Sequence, residues 1–353
     1  MKTNIPERIA ALREAMKEKN IDAYIIPSSD PHLSEYPADR WKSREWISGF
    51  DGSAGTVVVT ADKAGLWTDS RYFLQAGIQL EGSGIELYKM ALPETPTIQE
   101  FLLHELESGQ TVGTDGQTYS VAETAILEKA LRRKEIKLET SCDLIDLVWK
   151  DRPAIPGNPL FEMPVELSGK SVREKLDELN NMLRKEGADS LILAALDEVA
   201  WTFNIRGTDV AYNPVVISYA FVSEDESVLF IDPKKITAES AENLKKEGVI
   251  LADYTMIQKY LSRLPENSRV FIDPAKTNIS LYNALPKGCT IIEGITPARN
   301  KRIPQCCDKR RYCPDPFLHL AGKEISCRRK SNRTQRISHA DGFTCRTAAI
   351  HHG

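Results

Sequence analysis

The first 298 residues of this 353-residue chain are poor in the residue types on which many catalytic sites depend. They hold two cysteines, Cys142 and Cys289, and two histidines, His32 and His104. Two thiols are too few for a disulfide scaffold and suit a reducing compartment. No Ser-His-Asp, Cys-His or H-E-x-x-H constellation occurs in this stretch, so it carries no complete catalytic site of those kinds. Long apolar runs are also missing, and TVVVT and SLILAA are far too short to span a bilayer. The opening segment MKTNIPERIAALREAMKEKN is charged throughout and has no apolar h-region. A signal peptide is therefore not expected, and a cytoplasmic protein is.

What is present is ordinary for a soluble globular chain, at 41% apolar and 27% charged residues. The length leaves room for two domains, each with its own core. The net charge of -4 conceals an asymmetry: residues 299–353 hold 13 Lys and Arg against 4 Asp and Glu, and the preceding 298 hold 33 against 46. Five of the seven cysteines and four of the six histidines also fall in that short tail. The body and the tail differ in kind.

The body reads as one plan used twice. Near Pro6 a helix begins, with Ile9, Leu12 and Met16 on one face, and Asp22 then leads into the strand AYIIP. After residue 170 the plan returns. Ser171 is placed as an N-cap, Val172, Leu176, Leu179 and Leu183 form the stripe, Gly187 ends the helix, and Asp189 leads into SLILAA. The segments 57–69 (VVVTADKAGLWTD) and 220–232 (AFVSEDESVLFID) each predict strand, tight acidic turn, strand. Further helices are signalled by capping-box spacing at Thr97/Glu100 and Ser120/Glu123. Four prolines in 149–164 (WKDRPAIPGNPLFEMP) predict a semi-rigid connector. The expectation is two tandem α/β domains, at 1–150 and 165–298, joined by a Pro-rich linker at 151–164.

Four segments could carry chemistry. SGFDGSAGT (48–56) matches neither phosphate-loop pattern nor a nucleophile elbow, and reads as a tight turn feeding a strand. SSDPHLSEYPADRW (28–41) places His32, Glu35 and Tyr36 at a strand end, the rim of a site rather than its centre. In WTDSRYF (67–73), Asp69 and Arg71 read as a structural ion pair before a substrate clamp. ALDEVAWTFNIRGTDVAYNPV (195–215) is rich in polar groups, including Arg206. Its adjacent Asp197 and Glu198 would diverge by about 100° on a helix.

The runs IIPSSDPHLSEY, SGFDGSAGTVVVT, WTDSRYFLQA, LVWKDRPAIP and ALDEVAWTFNIRGTDVAYNPVVISYA resemble the three-domain Xaa-Pro aminopeptidases (aminopeptidase P) of the creatinase/prolidase-like metallopeptidases. The resemblance covers about residues 5–297. It implies two creatinase N-terminal-type domains, each a mixed sheet flanked by helices. It further implies a cytoplasmic hydrolase acting on peptides with proline second, and a possible homodimer. The family's pita-bread catalytic domain, where Asp, His and Glu side chains hold two divalent metals, usually manganese, has no counterpart motif here. No catalytic or metal-ligating residue is assigned, and no resident cofactor is expected in this chain. His32, Tyr36, Arg71 and Arg206 are the cleft-rim or interdomain candidates. The expectation is a truncated, catalytically inactive chain. The alternative is a non-catalytic module that binds peptides or pairs with full-length homologues, without nucleic-acid or membrane partners.

The tail admits three readings. Taken one nucleotide out of register from Arg302 through Glu324, permitted codons spell GFHSAVIKDGIALTRFYIWLEK, an amphipathic string similar to the helix that opens the family's catalytic domain. A frameshift then explains the cysteines and the basic charge. A zinc site on Cys306, Cys313, His319 and Cys327 is the second reading, against which the irregular spacing stands. A basic phosphate-binding arm is the third, and it lacks interleaved aromatics.

Overall fold

A computed structural model of the chain describes residues 4–296 and residue 298. The tail readings, with Cys306, Cys313, His319 and Cys327, lie outside the described residues.

The first lobe is a six-stranded sheet built from β1 (Ala23–Pro27), β2 (Thr56–Thr60), β3 (Ala64–Thr68), β4 (Glu86–Lys89), β5 (Thr111–Thr114) and β6 (Lys137–Glu139). After β7 (Phe161–Glu162), the second lobe adds β8 (Ser190–Leu193), β9 (Ile205–Arg206), β10 (Ser218–Ser223), β11 (Ser227–Ile231), β12 (Val249–Ala252), β13 (Arg269–Ile272) and β14 (Thr290–Glu293). The orders are β4-β3-β2-β1-β5-β6 and β12-β11-β10-β8-β13-β14, with β7 pairing β9 apart from both sheets. In each sheet the two central hairpin-type pairings are antiparallel and the three outer ones parallel, position for position. The expected pair of creatinase-type mixed sheets is what the structure has. Each copy places a helix between its first two strands, Ser43–Ser48 in the first and Leu196–Thr202 in the second, and the second copy adds β9 before β10.

The markers of the repeat do the same job in both copies. Asp22 donates its N–H to Thr111 O (2.8 Å) and accepts the N–H of Thr111 on its carboxylate (2.8 Å). Asp189 does likewise with Arg269 O (2.7 Å) and Arg269 N–H (2.8 Å). Each aspartate thereby fixes the entry of the first strand beside its parallel neighbour. Asp69 and Asp232 each cap a short 3-10 turn, accepting from Arg71 and Lys234.

Apolar periodicity decides the helices. Ile5, Ile9, Leu12 and Met16 of helix Ile5–Glu18 bury against Tyr24, Val57 and Leu66. Val172, Leu176, Leu179 and Leu183 of helix Val172–Glu186 bury against Leu191, Ala220 and Leu229. Each such side chain contributes about 1.5–3 kcal/mol of transfer free energy. Helices Ile98–Glu105, Val121–Leu131 and Val172–Glu186 all start with a two-way capping box. The Pro-rich stretch is tied to both lobes: Trp149 stacks on Trp46 at 5.1 Å in the first core, and Leu160 packs in the second.

The lobes belong to one compact unit. Ala38 and Trp41 of the first lobe share an apolar cluster with Leu196, Val210, Val215 and Ile217 of the second. Helix Val121–Leu131 of the first lobe opens by donating Val121 N–H to Thr277 O (3.0 Å) and Ala122 N–H to Pro274 O (2.9 Å) of the second. Those are two of the first-turn donors that no helix can satisfy internally.

Candidate functional site

A groove of about 550 Å3 runs between the lobes. Its first-lobe wall carries Glu35, Tyr36 and Asp39, its floor the linker residues Pro153 and Pro156, and its far rim Tyr212. Tyr36 and Tyr212 present large aromatic faces to solvent, and Tyr212 is held at φ +62°, a left-handed conformation that costs a tyrosine free energy. Asp39 is neutralised by Lys42 at 2.6 Å, while Glu35, Glu45 and Asp51 have no cation in contact among the described residues. An aromatic, proline-bordered, mildly acidic trough suits an extended peptide segment better than a compact anion.

The glycine-rich segment braces this wall. Helix Ser43–Ser48 ends on Gly49 at φ +73°, and a side chain at Gly52 would meet the Phe50 ring at 2.3 Å. The expected tight turn is therefore required sterically. Its peptide oxygens are gathered by Arg44, a residue the sequence reading did not single out. Arg44 is buried, donates to Phe50 O and Gly52 O, and reaches Ser28 Oγ at 2.8 Å. Burial lowers its pKa to about 10, and it remains a cation at neutral pH.

Of the four candidates, only Tyr36 lines the groove. His32 is 1% exposed and sits deeper, in the seam. Its Nδ1 is 2.7 Å from Ala194 O and its Nε2 is 3.0 Å from the Tyr254 hydroxyl. A carbonyl can only accept, so Nδ1 carries the proton and Nε2 accepts from Tyr254. Burial lowers the His32 pKa to about 4, in keeping with that neutral tautomer. Around it, Pro31 O accepts from the Tyr219 hydroxyl (3.0 Å) and from Asn278 Nδ2 (2.7 Å). Asp30, also fully buried, takes the N–H groups of His32 and Ser34 on one carboxylate oxygen.

Arg71 forms a bidentate pair with Asp69, both contacts 2.8 Å, on an exposed face outside the groove. Arg206 donates to Ala200 O (2.7 Å) and Ile205 O (2.8 Å) within the second lobe. The structure does not bring the four together. Asp197 and Glu198 diverge as expected: Glu198 is buried, while the Asp197 carboxylate accepts the Glu198 N–H.

Two buried lysines were not legible either. Lys235 and Asp209 form a fully buried pair at 2.5 Å, with Ile217 N–H also on the carboxylate. Lys175 lies on the buried face of its helix with Val172, Leu176 and Leu179, donates to Trp201 O (2.8 Å) and Asn204 Oδ1, and lies 4.7 Å from the Trp201 ring centre. Burial lowers its pKa to about 8. Among the described residues, no three His, Cys, Asp or Glu side chains stand together as a metal-binding group. The described residues therefore do not fit a metal pair. No helix among them is long and apolar enough to cross a membrane.

Comparison with known proteins agrees with the duplicated fold. Residues 8–148 and residues 151–303 each match a creatinase/prolidase N-terminal domain family. The chain belongs to the creatinase/prolidase family and carries two of its N-terminal domains in tandem. The relatives it resembles are Xaa-Pro aminopeptidases. It is 43% identical over 293 residues to the probable Xaa-Pro aminopeptidase P of Coprinopsis cinerea, covering 82% of this chain and 46% of that one. With the Sordaria macrospora protein of the same description the identity is 43% over 263 residues, 73% of this chain and 42% of the relative. The crystal structure of X-prolyl aminopeptidase from Caenorhabditis elegans, a cytosolic enzyme with a di-nuclear active site, superposes with a TM-score of 0.77. The identity there is 31%, over 83% of this chain and 50% of that one. The chain spans about half the length of the curated relatives it matches.

Proposed function

We propose that this chain is the pair of N-terminal lobes of a cytoplasmic Xaa-Pro aminopeptidase, and that the polypeptide by itself does not hydrolyse peptides. The groove between the lobes is the observation that carries the reading. Tyr36, Tyr212 and the linker prolines border an open trough of about 550 Å3. Such a surface can align a short peptide whose second residue is proline. Hydrolysis also needs an activated water, and in this family that task falls to a pair of divalent metals, manganese in our reading, held by a further domain. What supports inactivity is that the described residues supply no donor set for such a pair.

Incubating the purified chain with Mn2+ and Arg-Pro-Pro tests this. No release of arginine is expected, and turnover at any rate typical of an enzyme, roughly 1 s-1 or more, would overturn it.

We also read residues 299–353 as out-of-frame translation, which is why the composition changes so sharply there. Sequencing the DNA across codons 298–304 decides this: a restored frame supports the reading, and an unchanged one removes it. Pairing with a full-length homologue is the second role that the groove-bearing lobes could serve, as wall and partner rather than catalyst. Co-purification with an intact relative is its direct check.

A further inference from the structure

A smaller cavity, about 240 Å3, also lies between the lobes and shares Trp41 with the groove. From the second lobe it takes Tyr219, Tyr254, Gln258 and Asn278, and no charged side chain. From the first lobe and linker it takes Arg40, Trp41, Asp115, Asp143 and Arg152. The charges do not cancel. Arg152 binds Asp143 at 2.5 Å and Asp146 at 3.0 Å through Nη1, and Arg40 reaches the same Asp146 at 3.2 Å. Two guanidinium groups thus serve two carboxylates, and Asp115 is left over. It forms no ion pair among the described residues, and the donor on its carboxylate is the Gln117 N–H at 2.9 Å.

Arg152 is incomplete in the opposite sense. Its side chain is 5% exposed, its Nε donates to Arg40 O (3.0 Å), and its Nη2 has no partner among the described residues. A carboxylate without a cation and a buried guanidinium with an unused N–H pair border one partly open cavity. Its walls are aromatic, with Tyr219 and Tyr254 stacked at 5.2 Å, and apolar at Ile155, Ile257 and Leu281. The volume is below the roughly 300–1,000 Å3 that receives drug-sized ligands, and it leaves room for one amino acid.

We propose that this interlobe cavity is a binding site for a free α-amino acid with an apolar side chain, its ammonium on Asp115 and its carboxylate on Arg152. An ammonium there supplies the missing cation, and a carboxylate takes the unused guanidinium edge. Because both lobes contribute walls, occupancy also couples the site to the seam. No residue of a catalytic domain is needed.

Burial, then the neighbouring Asp143, pushes the Asp115 carboxyl up to about 7. The charged groups around it are Asp143, Asp146 and Arg152, with Arg40 lining the same cavity. The Tyr24 phenol lies near it behind the strand, and Tyr219 and Tyr254 face the cavity from the second lobe. Those three phenols are held well above their usual value, so none ionises near neutrality. An ammonium ligand therefore binds the carboxylate form, present above about pH 7.

Calorimetric titration of the full chain with L-leucine, N-acetyl-L-leucine and isoamylamine is the test. Leucine should give saturable heat at pH 8 and bind about tenfold more weakly at pH 6, following the ionised fraction of Asp115. The two analogues, each lacking one charged end, should bind at least tenfold more weakly than leucine. Asp115→Asn should abolish binding without lowering the thermal midpoint, because it removes a charge that burial disfavours. Should that variant fold poorly, Gln258→Trp, at the exposed mouth, should block leucine without touching a buried charge. Absence of leucine heat at pH 8, equal binding of N-acetyl-leucine, or full binding by both variants overturns the proposal.

Discussion

His32 is neutral in the folded protein because burial disfavours its charged form, and Ala194 O and the Tyr254 hydroxyl decide which nitrogen carries the proton. Its folded pKa of about 4 lies below the unfolded value of about 6.5. Between those values the unfolded chain binds the extra proton, so stability is complete above pH 6.5 and is lost as pH falls toward 4. The loss is on the order of 3 kcal/mol. Asp115, whose pKa is raised, acts in the opposite sense, so the comparison must be between wild type and His32→Asn. Urea midpoints measured from pH 7 to pH 4 should converge as the wild type loses its advantage. Parallel curves would refute the account. None of this was readable from the sequence beyond the placing of His32 at a strand end. Its partners stand 162 and 222 positions away, and no local pattern marks a carbonyl and a phenol that meet only in the tertiary fold. Arg44, Lys175 and Lys235 were missed for the same reason: a cation is legible as buried only once its distant acceptors are known.

Secondary-structure elements were far more legible, because their determinants are local. Four-residue capping boxes, apolar residues at helical spacing and the terminal Gly187 at φ +69° all act within a few positions of where they are written. The repeat was legible too, since both copies keep the same aspartate before the first strand. Asp22→Ala and Asp189→Ala should then behave alike. Each removes a charged acceptor from a strand N–H, a loss of about 1.5–3 kcal/mol. Asp189 adds an exposed pair with Arg269 worth at most about 1 kcal/mol. Denaturant unfolding of the two variants checks this, and a gap above about 2 kcal/mol between them would mean that the two positions are not equivalent. The sequence showed less of β7 and β9, two-residue strands whose pairing depends on each other.

At the scale of the whole molecule, the tandem architecture could be read in advance and the seam could not. Duplication shows as recurring pattern. Contact between the copies includes Pro31 with Asn278, 247 positions apart, and Tyr119 with Ile279. Chains with two domains often unfold in separate steps. Here Val121 packs in the second lobe's core and Trp41 in a cluster shared by both, so a single cooperative transition is expected. Tryptophan fluorescence reports mainly the first lobe, which holds Trp41, Trp46, Trp67 and Trp149, and far-UV dichroism reports both. Their thermal curves should coincide; a resolved second step would show that the seam is weaker than its bonds suggest.

Because helix Val121–Leu131 finds acceptors for its opening amides on Pro274 and Thr277, separating the halves would strand polar hydrogens on one piece and bare carbonyls on the other. A gene split at the prolines would yield two sticky fragments, each seeking its lost sibling, so protein engineers wishing to transplant either half should carry both.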